Sequence, residues 1–140
     1  MSRKSGKIAG LIAELQGRDL DAHYLGYFEC FNRQLFYEAH DVLEELWLPQ
    51  RQGANGAFYK GLIQFAGAFV HLQKDRLRPA AALFKLAQAN LGKYPLVHER
   101  LDLETVLRMI ELWLGKLETA NFATNPLSAA AGPELRLREP

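Results

Sequence analysis

Cysteine is all but missing from this chain: Cys30 is the only one among 140 residues. A single thiol excludes an intramolecular disulfide and any zinc site built on paired cysteines of one chain, and it suits a reducing compartment. An excess of charge of one sign is missing too. Seventeen Lys and Arg stand against sixteen Asp and Glu, a formal net charge of +1, so no overall field draws in nucleic acid or an anionic membrane. Arg76, Arg78, Lys85 and Lys93 offer only a local basic edge without interleaved aromatics, and no nucleic-acid partner is expected. Long apolar runs are absent as well. Nothing approaches the roughly 18 apolar residues of a membrane helix. The basic start MSRKSGKIAGLIAEL reaches Glu14 after an apolar stretch too short for a signal-peptide core. A soluble cytoplasmic protein with no membrane partner is the expectation.

The signatures of familiar reactions are also lacking. There is no His-Glu-x-x-His motif, no phosphate-cradling glycine loop and no serine nucleophile elbow. The repeated Glu-x-x-His pairs of carboxylate-bridged di-metal bundles are not found either. No segment sustains alternation of period two, which leaves no half-buried strand to predict.

What the chain does have is helical spacing, repeated along its length. Apolar residues make up 49% and charged residues 24%, ordinary values for a globular domain of this size. The pattern predicts an all-α fold: a single compact bundle of five to six helices around a central buried helix at about 57–74. Residues 1–20 form an N-terminal segment with a short amphipathic helix from Lys7 to Gln16, stopped by Gly17. The bundle occupies 21–120, and 121–140, rich in Pro, Ala and Ser, reads as a mobile tail. Asp19 or Asp21 caps a helix running to about Asn32, and another follows from Gln34 to Trp47, ended by Pro49. Asn55 is placed to cap the helix from Ala57 to Lys74, which is apolar around most of its circumference. Pro79 suits the first position of an alanine-rich helix that ends at Gly92. Asp102 caps the last helix, on which Leu103, Val106, Leu107, Ile110, Trp113, Leu114 and Leu117 make one stripe.

Residues 36–47, FYEAHDVLEELW, carry the densest chemistry. At about 100° per residue, Phe36, Ala39, Leu43, Leu46 and Trp47 cover one face, while Glu38, Asp41 and Glu45 project from the opposite side into solvent. His40 and Glu44, one turn apart, sit at the border of the apolar face. On the central helix Lys60, Gln64, Gly67, His71 and Lys74 recur at steps of four and three, forming a single polar stripe with a gap at Gly67. If that stripe faces the border, His40, Glu44, Gln64 and His71 converge on one inter-helix pocket walled by Tyr37, Trp47, Gly61 and Gly67. His23 and His98 read as surface residues, and Cys30 as a small buried hydrophobe.

From Tyr24 to about Leu117 the chain resembles DUF309, a family of bacterial, archaeal and plastid domains of unknown function. FNRQLFYEAHDVLEELW and FYKGLIQFAGAFVHLQ carry the likeness, followed by the alanine-rich helix leading to Tyr-Pro and by Asp102 opening the last helix. The resemblance implies an all-helical fold and a motif of Glu38, His40, Glu44, Trp47, Gly61, Gln64 and His71, and it implies no reaction. Asp41 stands where the family usually has Glu, and DRLRPAA replaces a more glycine-containing turn.

Two functions follow as expectations. In the first, the protein is a non-enzymatic interaction or scaffold domain, a homodimer or the binder of another protein, and His40, Glu44, Gln64 and His71 are a structural polar network. In the second, it is a small metal-binding or hydrolytic enzyme. There a divalent metal rests on His40, Glu44 and His71, or those groups perform acid and base work.

Overall fold

The computed structural model describes residues 6–127 and 132–140; the first five residues of the basic start and residues 128–131 of the tail lie outside them. Helices form where the apolar spacing predicts them: α1 (Gly6–Leu15), α2 (Ala22–Asn32), α3 (Phe36–Trp47), α4 (Gly56–Gln73), α5 (Leu77–Leu91) and α6 (Leu103–Thr119). A short 3₁₀ turn, Leu48–Gln50, carries Pro49 directly after α3. The fold is an all-α bundle. No helix among the described residues is long and apolar enough to cross a membrane.

The centre of the bundle is α4, whose Phe58, Leu62, Phe65, Ala66, Ala68 and Phe69 are fully buried. It packs between α3 and α5 because apolar residues cover most of its surface. Phe31, Phe36, Phe65, Phe69 and Phe84 form a chain of stacked and edge-on rings that ends at Trp113. Close approach of α5 depends on small residues. Ala80, Ala81 and Ala87 are buried there, and a Cβ on Gly61 would lie 2.8 Å from the Leu91 side chain.

Several ends depart from the sequence expectations. Asn55 is the N-cap residue of α4, but its side chain makes no capping bond. Its amide donates instead to Glu99 at 2.9 Å, and its carbonyl oxygen accepts from His98 Nε2 at 2.7 Å. Pro79 is the third residue of α5 rather than the first, still within the turn whose N–H groups have no helical partner. Three helices end in residues with left-handed backbone angles that are not glycine: Gln34 after α2, Asp75 after α4 and Asn121 after α6. Each closes its helix with reversed bonds of the Schellman type, such as Leu35 N–H to the Cys30 carbonyl at 2.9 Å.

The connection KYPLVHER holds a hairpin that helical periodicity did not reveal. Strands β1 (Val97–His98) and β2 (Leu101–Asp102) pair antiparallel around Glu99 and Arg100, which both have positive φ. Nor is the end of the chain a free tail. Leu137 bridges Leu101, the N–H of Arg138 donates to the Arg100 carbonyl at 2.7 Å, and Leu135 is buried. The side chain of Asn32 both donates to the Leu135 carbonyl and accepts from its N–H, each at 2.7 Å. Residues 132–140 are therefore docked where mobility was expected. Polar composition hid a β-type pairing supplied by residues far away in sequence.

Candidate functional site

An open cleft of about 420 Å³ lies along α4 between α3 and α5. The spacing of Lys60, Gln64, Gly67, His71 and Lys74 aligns them along one face of α4, and α3 adds Tyr37 and His40. Ile63 and Val70 of α4, with Leu83 and Leu86 of α5, supply the apolar part of the wall. A Cβ on Gly67 would stand 3.1 Å from the Leu83 methyl, so glycine keeps the middle of the cleft open.

His40, Gln64 and His71 line the cleft, and Glu44 does not. Glu44 Oε2 stands 3.9 Å from His40 Nε2, an ion-pair separation too long for a hydrogen bond. Nor do the expected walls all stand. Tyr37 and Gly67 line the cleft, whereas Gly61 faces Leu91 and Asn90 of α5. Trp47 lies outside the lining, under the ammonium of Lys60, which is 4.4 Å from its ring centroid.

The polar groups are unevenly satisfied. The side-chain oxygen of Gln64 accepts from the Asn90 amide at 2.8 Å, and Asn90 Oδ1 accepts from Lys93 at 3.2 Å. Asn90 had no signal in the sequence, since nothing about an alanine-rich helix marks which polar residue turns inward. The Nδ1 atoms of His40 and His71, in contrast, are buried and have no hydrogen-bond partner among the described residues. Burial, reinforced by the charges of Arg76 and Lys74, lowers the pKa of His71 below the ordinary histidine value. Such an arrangement is an incomplete network. It can receive donors or acceptors from a ligand.

It is not arranged as the expected metal centre. Among the described residues no group of three or more His, Cys, Asp or Glu side chains is placed to hold a metal ion. The His40, Glu44 and His71 set is not assembled: Glu44 is not among the residues lining the cleft that the two histidines share.

Asp41 corrects the solvated-face expectation most directly. It is 4% exposed, and its Oδ1 has no partner among the described residues. Glu38 is half-buried. Because α3 packs on α2 as well as on α4, burial extends around more of it than one apolar stripe would indicate. His23 and His98 are likewise not simple surface residues. The Nε2 of His23 lies 3.3 Å from Glu45 and ties α2 to α3. His98 packs against the rings of Phe58 and Tyr94, each at 4.8 Å between centroids. Cys30 is buried, as read from its aromatic surroundings.

Neither the comparison with curated proteins nor that with solved structures returns a match. The comparison with family models does. Residues 24–83 match the DUF309 model, described as a domain of unknown function, which is the family that the motif resembles; the match takes in α2, α3, α4 and the cleft face of α5 as far as Leu83.

Proposed function

We propose that the protein is a non-enzymatic interaction domain that binds a ligand in the α3–α4–α5 cleft, with His40, Gln64 and His71 as its polar contacts. The observation that carries this reading is the pair of buried Nδ1 atoms on His40 and His71, both without a partner among the described residues, on two side chains that line an open cleft. A buried polar atom left unpaired costs about 1–3 kcal/mol. A ligand for which either ring turns to bring that nitrogen into the cleft recovers that cost on binding, whereas a purely structural network would close on itself. Volume and lining suit a small molecule, since such sites are concave, mostly apolar and carry a few convergent polar groups. Covalent hydrolysis is less well served: among the described residues Tyr37 alone brings a hydroxyl to the lining, and neither histidine is oriented by a hydrogen-bonded carboxylate.

The test separates a binding group from a structural one. Replacing His71 with Leu removes an unpaired polar atom, so thermal stability should hold or rise while fragment binding at the cleft is lost. Binding is read from side-chain and backbone shifts of residues 37–40 and 60–74 in nuclear magnetic resonance spectra, using a panel of small polar and apolar fragments. Marked destabilisation of the variant, with no fragment shifting those residues in the parent protein, returns His71 to a structural role.

A further inference from the structure

Charge and shape in the cleft restrict what it can accept. Lys60 stands toward one end of the α4 stripe and Lys74 at the other, with His40 and His71 between them. No Asp or Glu side chain lines the cleft among the described residues, and there neither lysine has an acidic partner. The chain as a whole is almost neutral, so two lysines without an acidic partner among the described residues make this a local positive feature. Lys60 is held over Trp47 by a cation–π contact. Lys74 is exposed and free to turn toward the cleft mouth, one turn beyond His71.

Resting on the cleft reading above, we infer that the ligand is a small carboxylic acid with an apolar body. Its carboxylate sits at the His71–Lys74 end, and its apolar part lies against Ile63, Val70, Leu83 and Leu86. The donor set decides between acids. A carboxylate has two oxygens to satisfy, which one ammonium and one imidazole N–H can do. A phosphate presents three strong acceptors and favours arginine forks or free helix N-termini. No arginine among the described residues lines the cleft, and the N-terminus of α4 is occupied by Tyr94 at the far end of the helix. The apolar body is called for by Leu86, which remains 51% exposed at the rim. The cavity holds the volume of about fourteen liquid waters, room for an unbranched acid of medium length.

Isothermal titration of the full chain with octanoate, octanamide and octyl phosphate tests the inference, with resonance shifts reporting where each probe binds. Octanoate should shift residues lining the cleft and bind at least about tenfold more tightly than octanamide, as a charge-assisted bond requires. The exposed-site variant Lys74→Met should weaken octanoate by about tenfold and leave octanamide unchanged. Equal binding of acid and amide in the cleft overturns the charge inference while the cleft reading stands. Tighter binding of octyl phosphate overturns the choice of carboxylate. If all three probes and the fragment panel leave the cleft residues unshifted, both readings fall together.

Discussion

The hydroxyl of Tyr94 closes the N-terminus of α4 from outside that helix. It accepts the backbone N–H of Phe58 at 3.0 Å and donates to the carbonyl of Ala54 at 2.8 Å. Asn55, which occupies the capping position, is thereby released to join His98 to Glu99. Removing the hydroxyl with Tyr94→Phe should cost about 1–2 kcal/mol, in line with the loss of a cap. Urea denaturation measures it. A cost near zero would mean that Asn55 swings back into the cap, and the double variant with Asn55→Ala would then show it.

Gly61 and Gly67 lie on the same helix, and alanine should affect them in opposite ways. At Gly61 the new methyl meets Leu91, which is fully buried and cannot move aside. Overpacking of about 1–3 kcal/mol should outweigh the gain in helix propensity of about 1 kcal/mol. At Gly67 the contact is only the end of the Leu83 side chain at 3.1 Å, so propensity should prevail and stability should hold or rise. The same methyl narrows the cleft and should weaken whatever binds there. Thermal melts of both variants suffice; a stabilised Gly61→Ala would contradict the packing argument.

Asn32 should hold the end of the chain in place. Both bonds of its side chain go to the backbone of Leu135. Asn32→Ala should therefore speed amide hydrogen exchange at Leu135 and Arg138 while α4 and α5 remain protected. Unchanged exchange would show that burial of Leu135 and its neighbours is sufficient without the amide.

His71 should make stability depend on pH in a definite direction. Burial, then Arg76 and Lys74, depress its pKa in the folded chain, while in the unfolded chain it titrates at about 6.5. Above that pH it is neutral in both states and its contribution is intact. As pH falls below about 6.5 the unfolded chain takes up a proton that folded His71 refuses. Stability declines until the depressed folded value is passed, and then levels off. Urea midpoints between pH 7.5 and 5 should fall less in His71→Leu than in the parent. Parallel slopes would show that other groups control the acid limb.

Helix existence and the identity of the central helix were legible in the sequence because both depend on local periodicity. The polar stripe of α4 was legible for the same reason: steps of three and four place Lys60, Gln64, Gly67, His71 and Lys74 on one face wherever the helix docks. His40 could be set at a border by the same geometry. Glu44 could not be told from it, because both are half-exposed and only the tilt of α3 against α4 decides which one enters the cleft.

By itself, then, the amino-acid order determined an all-α bundle with α4 at its centre and two histidine-bearing faces able to meet. Tertiary structure alone decided that Asp41 is buried, that Gly61 serves packing against α5 rather than the cleft, and that Asn90 completes Gln64. It also decided that Tyr94 caps α4 and that Leu135 docks beside Asn32. The physical reason is common to all of these. Periodicity records which residues share a face of one element, but partners separated by 26 to 103 positions meet only when whole elements pack, and packing leaves no pattern within either segment.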